Sequence, residues 1–288
     1  MFTNRTLRKD KRAVTPAITT VIITGVIVVL LLITIVFAND FLGGRIAENE
    51  FSANTQFMLA TSLQIDDIAW TPGRTQTIRY TSNYGHVKFQ PMALSYSFEV
   101  DGQPVFTNVT GMVMYNMPIS EYNLGNNYFE RIYPSSSGSL LQQGPSAPVG
   151  HVLSIEKLNT TEGDYLRIVS VPSIRVLNST ITSQSITTNY YKFYLPILES
   201  ASTNLFRSQS VTMTGSTVTK IAMDGVEQVR ITVTFSSEDL GYDDNFFRFR
   251  NEPPYQPPYE NSVVVDDMPP GSVVEFYVGS VIVSIGQT

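Results

Sequence analysis

The acidic stretch from Glu238 to Asn245 holds the densest group of residues in this chain that could do chemistry. Its carboxylates could supply oxygen ligands to calcium, which needs about six to eight of them. The stretch lacks the ligand spacing of an EF-hand loop, so a solvated loop is the favoured interpretation. The neighbouring pair Asp66 and Asp67 is a weaker candidate, and we expect both carboxylates to face water. The sequence therefore predicts no metal site.

Nucleophiles and metal ligands are scarce in the rest of the sequence. The chain has no cysteine, which excludes disulfides, a thiolate nucleophile and a zinc cluster. Its two histidines, His86 and His151, have no second histidine or acid at metal-ligand spacing, and we expect each of them on the surface or in a loop. The sequence contains no nucleophile elbow, phosphate-binding loop or dinucleotide-binding glycine motif. These absences predict a protein that is not an enzyme and needs no cofactor.

Three tripeptides after residue 38 fit the acceptor pattern for N-glycosylation, and they begin at Asn108, Asn159 and Asn178. Three matches are close to chance in a chain rich in Asn, Ser and Thr. The compartment derived below nevertheless makes these residues candidate sites, because glycans could protect an exposed surface. Asn4 also fits the pattern but precedes the apolar run, so we expect it to stay in the cytoplasm.

The clearest chemical signal makes this chain a substrate rather than a catalyst. Two cations and one small residue meet the start of a charge-free run that extends from Val14 to Ala38. As a helix this run would rise about 37 Å, enough to cross the hydrocarbon core of a bilayer, and it is too long for the core of an ordinary secretory signal. The junction consists of Lys11, Arg12, Ala13 and Val14.

The backbone at this junction should be open to a protease. Pro16 disfavours helical geometry at the residue before it, so we expect extended backbone around Ala13 and Val14. Cleavage between these two residues would leave Val14 as the new amino terminus and place Pro16 in the first helical turn, where its missing N–H costs nothing.

The order of basic leader, small residue, proline and long apolar run resembles the class III signal peptide of archaeal type IV pilin-like proteins, the pilin and archaellin superfamily. The resemblance covers about 30 residues. It implies removal of residues 1–13 by a prepilin peptidase, and assembly of the mature chain into a helical homopolymer with an assembly ATPase and a membrane platform protein. Unlike the bacterial version, the fifth mature residue is Ile18 and not Glu, so register in a filament would depend on packing alone.

Charge predicts how the chain is oriented in the membrane. Residues 1–13 hold five cations and one acid, a net charge of +4, which leaves −10 for the remainder. The excess of Lys and Arg predicts that the leader stays in the cytoplasm and that everything after Ala38 is exported. The exported part is acidic and lacks the basic footprint of a nucleic-acid-binding protein.

The positioning elements follow from residue periodicity. An imperfect apolar stripe predicts that the helix continues over residues 14–64, with Glu48 and Glu50 available to water. The residues of the stripe are Phe41, Ile46, Phe51, Phe57, Met58, Leu59 and Leu63. Gly43-Gly44 predicts a kink or local melt. In a pilin-like assembly this second half of the helix would lie against the globular domain, and the alternative is a flexible stalk.

Residues 65–288 change to short alternating segments rich in Val, Ile, Thr, Tyr and Phe, which predict a mainly antiparallel β-sandwich. The overall class is therefore α+β. Asp101-Gly102 and Asp224-Gly225 predict hairpin turns, and two segments around 274–278 and 281–285 predict a terminal pair of strands. Residues 135–148 form the best internal boundary if there are two subdomains, and the Pro-Pro-Tyr repeat at 252–260 predicts an extended polyproline strip.

These features favour a structural subunit of an archaeal type IV pilus-like filament, with the helix in the core and the β domain on the adhesive outer surface. The precursor would sit in the cytoplasmic membrane and the mature chain on the cell surface. The alternative is an uncleaved single-pass anchor that displays a β-sandwich for binding carbohydrate or another surface protein, for which Trp70 could supply a stacking face. A surface-tethered hydrolase is a third hypothesis, and it lacks a recognisable site.

Overall fold

Helix α1 runs from Lys11 to Ala69 without interruption in the computed structural model of the protein. A membrane-spanning segment must satisfy its backbone hydrogen bonds internally, which explains a helix through a run rich in Val, Ile and Thr. The expected melt at Gly43-Gly44 is wrong, because the helix continues through both residues. A glycine costs about 1 kcal/mol in a helix interior, too little to break a helix that continues on both sides.

The structure describes residues 11–125, 128–134, 141–160, 163–183, 186–201, 209–235, 262–265 and 268–286. Several sequence features fall partly or wholly outside these residues. They are residues 1–10 of the leader, residues 135–140 of the internal boundary, the acidic stretch at 238–245 and the Pro-Pro-Tyr strip at 252–260.

Thirteen strands are described after the helix, and the α+β class predicted from the sequence is confirmed. The first seven strands are β1 Thr75–Arg79, β2 His86–Val100, β3 Gln103–Pro118, β4 Phe129–Tyr133, β5 Leu141–Gln143, β6 Gly150–Thr160 and β7 Gly163–Pro172. The others are β8 Ile174–Ser183, β9 Ile186–Ser200, β10 Ser210–Asp224, β11 Val229–Phe235, β12 Ser262–Val265 and β13 Val273–Ile285.

The strands form two sheets in a sandwich-like arrangement. One sheet has the order β1-β10-β13-β9-β8-β5 and the other β12-β11-β2-β3-β7-β6-β4. The described pairings are antiparallel except for β13 with β9 and β5 with β8. Strand β13 enters the six-stranded sheet between β10 and β9, which both precede it in the chain.

The chain divides between Ala47 and Glu48 into two compact units. The second unit contains residues 48–69 of the helix and all thirteen described strands. Its two sheets share an apolar core in which Phe98 of β2 meets Phe276 of β13 edge to face at 5.3 Å between ring centroids. A second buried cluster joins the helix to residues from both sheets, such as Val113 of β3 and Val283 of β13.

Turns were predicted with mixed success. Asp101 and Gly102 join β2 to β3 with φ values of 49° and 77°, the left-handed geometry of a tight hairpin, so this prediction is confirmed. The Asp224-Gly225 hairpin is wrong, because β10 and β11, which these residues connect, belong to different sheets. The terminal pair of strands is also wrong, because residues 273–285 form the single strand β13.

Candidate functional site

The apolar part of α1 is the first of two candidate functional regions. Every large apolar side chain from Ile18 to Leu42 that the structure describes is exposed, and α1 is long and apolar enough to span a membrane. Hydroxyls within this part bond to their own helix: Thr24 Oγ1 donates to the carbonyl of Thr20 at 2.9 Å and Thr34 Oγ1 to that of Leu30 at 2.7 Å. The surface that these residues present is therefore apolar, without unsatisfied hydroxyl donors.

The predicted cleavage junction lies at the N-terminal end of this helix. Lys11, Arg12, Ala13 and Val14 all have helical backbone, so the extended conformation expected from Pro16 is wrong. Pro16 is the sixth helical residue, and its missing N–H removes only the bond to the carbonyl of Arg12. The side chains of these residues lie outside the described part of the structure, and cleavage itself stays a prediction.

The second region is the joint between residues 48–69 and the sheets. Five helix residues form the apolar face of this joint, with no more than 7% of any of them exposed. These are Phe57, Met58, Ile65, Ile68 and Ala69. Phe57 and Met58 belonged to the predicted stripe, whereas Leu63 of that stripe is 48% exposed. The flexible-stalk alternative therefore does not hold for residues 48–69, because they are part of the domain core.

Two glycines let the helix end approach the six-stranded sheet. A Cβ on Gly215 of β10 would lie 2.5 Å from the carbonyl oxygens of Ile68 and Thr71, and one on Gly279 of β13 would lie 2.4 Å from that of Ala69. These distances are shorter than any side-chain carbon tolerates against backbone. Both strands therefore need glycine opposite the end of α1.

Glu50 is buried at the other end of the joint, with 6% of its surface exposed, so the expectation that it faces water is wrong. Three consecutive backbone N–H groups from the loop before β2 donate to its carboxylate. Asn83 N lies 2.7 Å from Oε2, Gly85 N lies 3.0 Å from Oε1, and Tyr84 N lies 3.1 Å from Oε1. The loop wraps the carboxylate as a backbone anion nest.

Two hydroxyls complete the Glu50 cage. Ser82 Oγ lies 2.6 Å and Tyr115 Oη 2.8 Å from Oε1, and both can donate to it. A Cβ on Gly85 would lie 2.3 Å from Tyr115 Oη, so glycine at this position leaves room for the tyrosine. Burial raises the pKa of Tyr115, which keeps its hydroxyl protonated as a donor.

The electrostatics of the cage favour a charged Glu50. Burial by itself would raise the pKa of the carboxyl group, but hydrogen bonds from Ser82, Gly85, Asn83 and Tyr115 outweigh it and lower the pKa from 4.5 to about 2. Glu50 is therefore ionised at every ordinary pH. It ties the helix to the loop before β2 and, through Tyr115, to β3 of the seven-stranded sheet.

Asp66 anchors the joint near the C-terminal end of α1. Its Oδ1 accepts from the indole N–H of Trp70 at 2.8 Å, and its Oδ2 accepts from Arg175 of β8 at 2.9 Å. Trp70 meets Tyr194 edge to face at 5.2 Å, and the Arg175 guanidinium lies 5.1 Å from the centroid of the same ring. Asp67 is exposed as expected and pairs with Arg74, whereas the expectation that Asp66 simply faces water is wrong because Trp70 and Arg175 hold it.

The two anchoring carboxylates bond to different sheets. Sixteen residues separate Glu50 from Asp66, which corresponds to about 24 Å along a helix. The loop before β2 and strand β3 hold Glu50, whereas β8 of the six-stranded sheet holds Asp66. The helix segment is thus fixed at two points as well as along its apolar face.

The candidate glycosylation sites differ in their surroundings. Asn178 is exposed on β8. Asn108 is half-buried on β3. Thr110, the third residue of its acceptor tripeptide, is fully buried, and the Thr110 hydroxyl accepts a hydrogen bond from the backbone N–H of Leu198 at 2.8 Å. Asn159 lies within β6, and its side chain is outside the described part of the structure. The three sites lie on three different strands, and β8 belongs to the six-stranded sheet whereas β3 and β6 belong to the other.

The histidines are not a pair. His86 is exposed at the start of β2, as expected, whereas His151 on β6 is 1% exposed, so the surface prediction for His151 is wrong. Burial, together with the positive charge of Arg131, lowers the pKa of His151 to about 3, so this imidazole is neutral. Among the described residues, no three His, Asp or Glu side chains are grouped as a metal site.

Comparison with models of known protein families, with curated proteins and with solved structures finds no match for this chain.

Proposed function

We propose that this chain is a structural subunit of a type IV pilus-like filament on the surface of an archaeal cell. One observation carries the proposal: a single 59-residue helix combines an exposed apolar segment with a segment built into the core of a β domain. In a pilin-like subunit the first segment would form the filament core and the second would attach the outer domain to it.

The exposed segment needs a cover. Soluble proteins rarely expose contiguous apolar patches larger than a few hundred Å². Residues 18–38 carry no charge, and their described side chains leave only lipid or other apolar helices as suitable surroundings. Burying each large apolar side chain away from water contributes about 1.5–3 kcal/mol. A chain that exchanged lipid for the apolar helices of other copies would therefore remain bound to them.

The joint supports the second half of the proposal. Glu50 and Asp66 fix residues 48–69 to both sheets, as a pilin-like subunit would require for its outer domain to keep a defined orientation on this helix segment. A display domain on a flexible tether would not need these contacts.

Family resemblance supplies the remaining roles. The precursor would lie in the cytoplasmic membrane with its N terminus inside, be cut by a prepilin peptidase and be assembled by an ATPase and a membrane platform protein. The β domain would form the adhesive and glycosylated surface of the homopolymer.

The helical backbone at Ala13 and Val14 favours a second candidate, the uncleaved single-pass anchor, because proteases act on extended peptides. Its carbohydrate-stacking role for Trp70 is weakened, since the indole N–H already bonds to Asp66 and the ring packs against Tyr194.

Mass spectrometry of the mature chain separates the two candidates. Surface fibres are sheared from producing cells, and the N-terminal peptide is measured in the fibre and membrane fractions. We expect fibres that contain the chain beginning at Val14. Fibres without this polypeptide, together with a membrane form that retains residues 1–13, would refute the filament subunit and support the anchor.

A further inference from the structure

Strands β8 and β9 extend beyond the sheet that contains them. β8 pairs with β5 only over Ile174–Val176, and β9 pairs with β13 only from Tyr190 onward. Among the residues that the structure describes, residues 180–183 of β8 therefore pair only with 186–189 of β9, and residues 177–179 of β8 have β9 as their single neighbouring strand. We call residues 177–183 and 186–189 the β8–β9 arm.

The arm is exposed on both faces along β8. Every residue from Asn178 to Ser183 is exposed, and the arm is held by its ladder and by two side-chain bonds. Thr180 donates to Asn189 at 2.8 Å, and the hydroxyls of Thr182 and Thr187 lie 3.2 Å apart. A two-stranded ribbon without a buried face is marginally stable in water, so a further strand would stabilise the arm.

The free edge of β8 is unprotected against pairing. No residue from Leu177 to Asn189 is charged or is a proline, and Ile181 is 54% exposed. Edge strands of natural proteins normally carry charges or prolines that block pairing with another chain. The seven residues from 177 to 183 offer an edge of about 23 Å with outward backbone groups on alternate residues.

Charges or short length protect several other described edges of this molecule. The edge strand β1 ends in Arg79, and β10 carries Lys220 and Asp224 where it extends past β1. Strand β4 contains Glu130 and Arg131, while β5 and β12 are only three and four residues long. The β8 edge is uncharged and exposed from Asn178 to Ser183, whereas the uncharged part of β3 that precedes its pairing with β7 is partly buried.

We propose that the free edge of β8 in this arm pairs with a β-strand of a second copy of the chain. Hydrogen bonds between threonine hydroxyls on neighbouring strands already occur within this chain, where β1 pairs with β10. Thr75 and Thr214 lie 3.0 Å apart at their hydroxyls, and Thr77 and Thr212 lie 2.9 Å apart. A second copy is the partner because the proposed filament places copies side by side, so this step rests on the proposed function.

Photo-crosslinking tests the pairing in the full chain. Since the chain has no cysteine, Thr182→Cys creates a unique site for a maleimide-linked benzophenone on the arm. Thr219→Cys is the matched control, because it is an exposed threonine on the β10 edge beside Lys220. Labelled chains in membranes and surface fibres of producing cells are irradiated, and the joined peptides are identified by mass spectrometry.

We expect the Thr182→Cys chain to form adducts with a second copy of the chain and the Thr219→Cys chain to form none. Adding Ile181→Lys to the Thr182→Cys chain should abolish the adducts, because a charge would enter the pairing edge, while thermal unfolding stays unchanged. Adducts only to other proteins, equal adducts from the control site, or insensitivity to Ile181→Lys would overturn the proposal.

The outcomes also separate this pairing from the filament. Copy-to-copy adducts from the arm without fibres support the pairing and refute the filament. Fibres that contain the chain without such adducts support the filament and refute the pairing.

Discussion

Replacing Glu50 by Gln removes the buried charge at one end of the helix joint. The amide keeps one oxygen, but its NH₂ group would face backbone N–H groups that can only donate. The lowering of the Glu50 pKa from 4.5 to about 2 corresponds to roughly 3 kcal/mol in favour of the charged form, at about 1.4 kcal/mol per pKa unit. We therefore expect Glu50→Gln to destabilise the domain by about 3 kcal/mol, or roughly 6–12 °C in Tm for a domain of this size.

Trp70 is the only tryptophan and lies at the end of the joint, so its fluorescence reports thermal unfolding of the full chain in detergent. The matched control is Glu48→Gln, which removes an exposed carboxylate two residues away and should change stability by no more than about 0.5 kcal/mol. If the two variants unfolded at the same temperature, the cage would not stabilise the joint.

The same contribution depends on pH with a defined sign. Because the pKa of Glu50 is lower in the folded chain, the unfolded chain binds more protons as pH falls. The stability advantage over Glu50→Gln should be full above about pH 4.5 and shrink as pH falls toward 2. A difference that stayed constant across this window would contradict a charge-dependent cage.

Two further predictions concern the joint and the surface. Gly215→Ala should lower Tm because its new methyl group meets backbone carbonyls, at a cost of about 1–3 kcal/mol, whereas Gly44→Ala, where a Cβ meets nothing within 4 Å, should not. Thermal unfolding of both variants measures the difference. Glycopeptide mass spectrometry should find glycans at Asn178 and none at Asn108, because the Thr110 hydroxyl of that acceptor pattern is buried and bonded; modification of Asn108 alone would contradict this reasoning.

Local patterns predicted the element types. The apolar run and the stripe after it predicted the helix, and alternating segments predicted the mainly antiparallel β domain, because both periodicities depend on neighbours within a few residues. The Asp101-Gly102 turn was predictable for the same reason. The parallel pairing of β9 with β13 was not, since about 80 residues separate the two strands and neither carries a local signal of its partner.

The burial of Glu50 could not be predicted from its residue type alone. A carboxylate normally suggests solvent, and the partners of Glu50 lie 32 to 65 residues away in the chain. Periodicity did hold a clue, because Glu50 is in helical phase with Phe57, Ile65 and Ile68 of the buried face. The predicted break between residues 278 and 281 contains Gly279, which instead lies inside the single strand β13, where its close approach to Ala69 requires glycine.

The place of β13 has a consequence for secretion. Its neighbours β9 and β10 are made first, and a gap one strand wide separates them until residues 273–285 arrive. A chain that crosses a membrane from its N-terminal side would therefore keep this sheet incomplete until residues 273–285 have crossed. Late completion of the sheet would keep the polypeptide in a translocation-competent, incompletely folded state. It would also leave the unpaired edges of β9 and β10 for a chaperone outside the membrane to shield.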